Sequence, residues 1–172
     1  MGTGGSRPAL FLDRDGVVNV EKNYLHRIED FEFVDGIFEL CRAYAKRGFL
    51  IVVVTNQSGI ARGYYTQEAF ETLTAWMVDA FAMQDVEIAG VYHCPHHPEV
   101  SGSCACRKPE PGMLLQAAET LGIDLVRSVM VGDSERDITA AHRAGVKETY
   151  LLGRADTPSA ATRVITSLRE LI

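Results

Sequence analysis

The sequence has no polybasic block, no internal repeat and no apolar stretch long enough to cross a membrane as a helix. With a formal net charge of −6, the chain is expected to avoid nucleic acid and anionic membrane surfaces. The opening residues, Met1-Gly2-Thr3-Gly4-Gly5-Ser6, lack the apolar centre of an export signal, so a cytoplasmic location is expected. Residues 1–7 read as a flexible start. Cysteine is scarce, with four residues, and three of them cluster near histidines between 94 and 106. Without export, that clustering favours metal binding over disulfides. The 172 residues, 47% hydrophobic, suit one domain with a substantial core spanning 1–172.

The stretch Ala9-Leu10-Phe11-Leu12-Asp13-Arg14-Asp15-Gly16 organises the rest. Its apolar run reads as a buried parallel strand. Two carboxylates follow at its C-terminal end, where open α/β sheets bind ligands. In a strand period Asp13 and Asp15 would share a side. Such a pair repels itself unless a cation lies between or one acid is protonated. Magnesium suits one or two carboxylates plus a substrate phosphate. The reading is metal-assisted phosphoryl transfer with one Asp as nucleophile; an acidic surface turn is the plainer alternative.

Val17 to about Val34 shows no clean period and reads as a flap over the strand end, carrying Asn19, Lys22, Tyr24 and His26. Asp35-Gly36 opens a helix with Ile37, Phe38, Leu40, Cys41, Tyr44 and Ala45 on its apolar face, and Gly48 stops it. Phe49 to Val54 is β-branched and continuous, hence a central strand. It runs into Thr55-Asn56-Gln57-Ser58-Gly59, whose hydroxyls, amides and N–H groups suit a phosphoryl oxygen, although capping would also explain them. Thr66 is an expected N-cap for a long helix, Gln67 to Met83. Ile88 to His93 is a third strand.

Cys94-Pro95-His96 and Cys104-Ala105-Cys106 form two i,i+2 pairs joined by a Pro- and Gly-containing loop expected to lack regular structure. Cys94, His96, Cys104 and Cys106 make a tetrahedral, structural zinc set, with His93 and His97 as competing nitrogen ligands. Arg107-Lys108-Pro109 follows at once and could supply local positive charge for a phosphate. Pro111-Gly112 opens a helix that Gly122 stops. Ser128 to Val131 is another buried strand ending in acids, Gly132-Asp133-Ser134-Glu135-Arg136-Asp137. Asp133 could join Asp13 and Asp15 as an oxygen ligand. Asp137 could orient Lys108 or metal waters, or simply complement the helix dipole. A helix to Ala144 and a strand at Thr149 to Leu152 follow, and the tail from Ala160 is weakly patterned.

Taken together, Asp13-Arg14-Asp15-Gly16, Thr55-Asn56, Lys108, and Gly132-Asp133 with Asp137 resemble the haloacid dehalogenase superfamily of phosphatases in order and spacing. More narrowly, Thr55 to Gly63, the 94–106 loop and Cys106 to Met113 resemble the heptose bisphosphate phosphatases, with histidinol-phosphate phosphatases as the alternative. The resemblance implies a Rossmann-like, doubly wound, mainly parallel α/β sheet without a large cap domain. It implies Mg²⁺ on Asp13, the Asp15 carbonyl and Asp133. It implies substrate contacts from Asn19, Lys22 and Tyr24 in the flap, from Asn56, Gln57 and Ser58, and from Arg107. Asp13 would be nucleophile and Asp15 acid and base, with Thr55 and Lys108 on the phosphoryl oxygens. The substrate would be a phosphorylated sugar, in precursor synthesis for a surface glycan such as lipopolysaccharide, and the protein a monomer. One departure stands out: relatives can carry a lysine where this chain has Ser134. A phospho-receiver switch would share the Asp, Thr and Lys, but would have no need of Asp15 or a zinc loop.

Overall fold

The computed structural model describes residues 5–172, so the first four residues of the expected flexible start lie outside the described residues. Arg7, within that same expected segment, bridges to Ile123 and donates from Nε to the Gly48 carbonyl at 3.2 Å.

Six parallel strands form one sheet: β1 Ala9–Leu12, β2 Leu50–Asn56, β3 Ile88–Cys94, β4 Val129–Gly132, β5 Glu148–Leu152 and β6 Arg163–Ile165, in the order β3-β2-β1-β4-β5-β6. Every residue of β1 is fully buried, as a central parallel strand requires. Its alternation feeds two cores. Leu10 and Leu12 pack with α1 (Ile37–Lys46) and α2 (Gln67–Met83) on one face. Ala9 and Phe11 pack with α4 (Gly112–Leu121) and α5 (Glu135–Ala144) on the other. The chain winds outward in opposite directions from β1, one way to β2 and the other to β4. That reversal opens a crevice at the C-terminal ends of β1, β2 and β4.

Three expectations are corrected. The loop 94–106 contains one helical turn, α3 (Pro98–Ser101), because Pro98 takes its first position and the His97 ring caps the Glu99 N–H at 3.2 Å. The tail holds β6 and a 3₁₀ turn at Leu168–Leu171; β6 is too short to show a period and exists by pairing with β5. Asp13 lies beyond β1, so the strand period does not set where the two acids point. Arg14 instead turns the chain, its carbonyl accepting from Val17, Val18 and Asn19. Residues 17–34 are anchored at their two ends: Val20 and Val34 bond back across the excursion, and Phe31 and Phe33 pack on Trp76 of α2.

Candidate active site

The crevice gathers residues from four places in the chain. Lys108 is 2% exposed, and its ammonium donates to Asp13 Oδ1 at 2.8 Å, to the Val54 carbonyl at 2.8 Å and to Asp137 Oδ1 at 2.7 Å. Asn56 fixes that lysine from its other end. Its amide oxygen accepts from the Lys108 N–H at 3.0 Å, and its amide nitrogen donates to the Lys108 carbonyl at 3.1 Å. Asp137 serves twice, since its other oxygen accepts from the N–H groups of Asp133 (3.2 Å) and Ser134 (3.1 Å) at the start of α5. One side chain thus contacts both the Lys108 ammonium and the N–H groups that open α5.

Two glycines permit this crowding. Gly16 has φ +92°, and a Cβ there would overlap the Asp133 carboxylate. A Cβ on Gly132 would overlap Asp137.

Asp13, Asp133 and Asp137 offer oxygens that lie within 4.8 Å of one another. Burial and then the Asp137 charge push the Asp13 carboxyl well above its usual range, against the pull of Lys108. Burial disfavours the Lys108 ammonium, but Asp13 and Asp137 outweigh it and hold its pKa above the ordinary lysine value. Asp133 remains exposed at the rim of the crevice; partial desolvation there and the Asp137 charge push it up to about 6. Three acids against one ammonium is a donor set that a hard divalent cation fits.

Asp15 is not in that cluster. Its carboxylate accepts from Arg14 at 3.0 Å, Asn19 at 3.1 Å and Gln57 at 3.1 Å. Arg14, fully buried, also donates to the Leu25 carbonyl at 2.9 Å, tying Asp15 to the flap. Gln57 reaches Thr55 Oγ1 at 2.9 Å and accepts from the Tyr65 hydroxyl. Asn19 and Gln57, expected to touch substrate, both hold Asp15; Asn19 is fully buried, while Gln57 also borders a cavity. Lys22 lies apart, its ammonium 3.4 Å from Glu32.

Two adjoining cavities open here. The first, 190 Å³, is lined by the acids Asp13, Asp15, Glu21, Asp133 and Asp137 with Asn56, Lys108, Ser134 and Arg136. The second, 220 Å³, shares Asp15, Glu21, Asn56 and Arg136 and adds Asn23, Tyr24, Gln57, Ser58, Tyr65 and Arg107. Asn23 and Tyr24 hold φ of +54° and +61°, a conformation that side chains resist and that binding loops tolerate. Arg14, Glu21, Tyr65 and Arg136 were not singled out from sequence. A cation at a buried strand end and another in the first turn of a helix are the signals that point to the two arginines.

Beside Lys108, the Sγ atoms of Cys94, Cys104 and Cys106 stand 2.8–3.5 Å apart, and His96 Nδ1 is 3.5 Å from Cys94 and 3.4 Å from Cys106. Tetrahedral Zn–S and Zn–N bonds imply edges of about 3.5–3.8 Å; four of these five distances come near that range, and the Cys94 and Cys106 sulfurs, at 2.8 Å, would move apart to admit the ion. The Cys104 thiol is lowered to about 6: burial opposes the shift, and N–H donation from Arg107 with contacts to the other two thiols outweighs it. His97 caps α3 and meets Arg62, and His93 pairs with Gln67, so neither belongs to this set.

A family model described as HAD-hydrolase-like matches residues 105–171. The D-glycero-beta-D-manno-heptose-1,7-bisphosphate 7-phosphatase of Escherichia coli strain K12 is 50% identical over 176 residues, covering 96% of this chain and 92% of its own. The chain belongs to that family of HAD-like phosphatases. Its members include the Vibrio cholerae enzyme, 48% identical over 96% of this chain and 95% of its own. Among solved structures, the D,D-heptose 1,7-bisphosphate phosphatase of B. bronchiseptica, complexed with magnesium and phosphate, superposes with a TM-score of 0.81 at 31% identity, covering 94% of this chain and 93% of that one. Family membership accords with a parallel sheet whose acids gather at the C-terminal ends of its central strands.

Proposed function

We propose that this protein is a Mg²⁺-dependent phosphatase that removes the 7-phosphate of D-glycero-D-manno-heptose 1,7-bisphosphate through an aspartyl phosphate. The observation that carries the chemistry is the Lys108 ammonium held between Asp13 and Asp137, with Asp133 alongside. The substrate is taken from the family and supported by the arginine-bearing second cavity.

An Asp13 carboxylate oxygen attacks phosphorus in line while the bond from phosphorus to the sugar oxygen breaks. Asp15 gives that oxygen a proton, then takes one from the water that cleaves the aspartyl phosphate and frees inorganic phosphate. Lys108 and Thr55 bear on the equatorial oxygens, where charge stabilisation matters most. Asp137 orients Lys108, and Asn19, Gln57 and Arg14 orient Asp15. Asp13 and Asp133, with the Asp15 main-chain carbonyl, would hold Mg²⁺, which offsets charge on the phosphoryl oxygens when bound. Tyr24, Asn56 and Ser58 border the sugar, and Arg107 meets the phosphate that stays. Zinc on Cys94, His96, Cys104 and Cys106 would be structural, fixing the backbone that carries Arg107 and Lys108. The protein acts as a cytoplasmic monomer on a small phosphorylated sugar, without nucleic acid or membrane partners. The charge of −6 supports that exclusion. No helix of the described residues is long and apolar enough to cross a membrane.

The test is phosphate release, with Mg²⁺, from the heptose bisphosphate and from histidinol phosphate. The bisphosphate should give the higher kcat/KM, and Arg107→Ala should narrow the gap by about ten- to a hundredfold. Faster turnover of histidinol phosphate would replace the substrate and leave the chemistry standing.

A further inference from the structure

The cavity walls hold few cations able to meet a second phosphate. Lys108 is committed to Asp13, Asp137 and the Val54 carbonyl. Arg14 is committed to Asp15 and the Leu25 carbonyl. Two guanidinium groups remain. Arg107 gives one weak contact, 3.4 Å, to the His96 carbonyl and borders the second cavity. Arg136 borders both the first and the second cavity, and among the described residues its side chain makes no hydrogen bond or ion pair.

The position of Arg136 is unusual for a purely structural arginine. Ser134 caps α5, and Glu135 and Asp137 occupy its first turn, as the helix dipole favours. Arg136 lies between those acids in the same turn, where the dipole disfavours a cation. The exposed guanidinium gains nothing from the helix and stands at the mouth where the two cavities meet. A bisphosphate brings two groups of about −1.5 to −2 charge each to walls already carrying several carboxylates. The reacting group lies against Asp13 and Lys108 in the first cavity, so the other extends into the second, towards Arg107 and Arg136.

We propose that Arg136 is a specificity-determining residue: together with Arg107 it forms a two-arginine clamp on the phosphate that is not cleaved. The clamp rests on the bisphosphate reading above. Two planar forks can grip one phosphate from two directions, which a single arginine cannot do. The grip on that remote group positions the reacting one, so it is expressed in kcat/KM.

The experiment compares D-glycero-D-manno-heptose 1,7-bisphosphate with the corresponding heptose 7-phosphate, which presents the same reacting group and lacks the remote one. Arg136→Ala, Arg136→Lys, Arg107→Ala and the double alanine variant are assayed with Mg²⁺ on both. Arg136→Ala is expected to lower kcat/KM on the bisphosphate by about ten- to a hundredfold more than on the monophosphate, the range of a charge-assisted contact. Arg136→Lys should recover part of that difference, because the charge returns without the fork. The double variant should lose less than the product of the two single losses, since both residues hold one group. Equal losses on both substrates would assign Arg136 to the reacting phosphate and overturn the clamp; so would a bisphosphate preference that survives Arg136→Ala intact. A wild-type enzyme with no preference for the bisphosphate overturns the substrate reading itself, and the clamp with it.

Discussion

Replacing Lys108 with methionine tests the centre of the site. The methionine fills most of the buried volume but removes the ammonium that satisfies Asp13, Asp137 and the Val54 carbonyl. Taking one partner from a buried ion pair costs about 3–5 kcal/mol, because the remaining charge is left uncompensated. Here two carboxylates lose the same partner, and Asp13 is already pushed up by burial and by Asp137. A domain has about 5–15 kcal/mol in total, so the variant should still fold in mild buffer. With a urea m-value of about 2–3 kcal/mol/M, the midpoint should fall by about 1–2.5 M. Turnover should fall by about a hundredfold or more, the usual loss when a preorganised charge on the reacting oxygens is removed. The double variant Lys108→Met with Asp137→Asn should lose less than the sum of the single losses, since each removes the same interaction. Urea melts and steady-state phosphate release measure all three. A midpoint within about 0.3 M of wild type, well inside the shift a broken buried pair requires, would refute the argument that Lys108 holds the carboxylates together.

Asp13→Asn should keep the fold and lower kcat more than about a hundredfold, because an amide is a poor nucleophile; retained turnover in a phosphate-release assay would move the nucleophile elsewhere. Asp15→Asn should also be slow and, if the second step suffers more, trap phosphate on the protein, seen as acid-stable label-free mass gain in intact-protein mass spectrometry. Elemental analysis should find about one zinc per chain from the four-donor count, and Cys104→Ser should lower both the melting temperature and activity by loosening the backbone of Arg107 and Lys108. The pH dependence has a definite sign. Asp133, at about 6 in the folded protein against about 4 unfolded, binds its proton more tightly when folded. Its contribution therefore makes stability fall as pH rises from about 4 to about 6. Added Mg²⁺ should flatten that dependence, and melting curves across the range with and without Mg²⁺ would show it.

Much of the site was legible before folding was considered. Apolar runs bounded by turn residues marked five of the six strands, and α2 falls at Gln67–Met83 as expected. The reason is local: burial on both faces demands continuous apolar strands, and Thr66 supplies its own cap. The chemistry-bearing residues were readable for a related reason. Acids at the ends of buried strands and thiols two residues apart are costly without a use, so Asp13, Asp133 and the Cys94–Cys106 donors stand out by type and spacing. Short range also limits such reading, since β6 has only three residues and exists through its pairing with β5.

Tertiary structure decided the roles within the set. Nothing local says that Asn56, 52 residues from Lys108, grips its backbone from both sides, or that Gln57 and Asn19 turn inward to hold Asp15. Strand periodicity suggested a shared side for Asp13 and Asp15. The Arg14 turn instead sends Asp13 to Lys108 and Asp15 to its own ring of donors. Arg136 gained its place only when α5 was set against β4 and the two cavities met beside it. Sequence patterns record what each segment must bury, whereas which polar groups meet across the crevice depends on strand order, and strand order is a property of the whole chain.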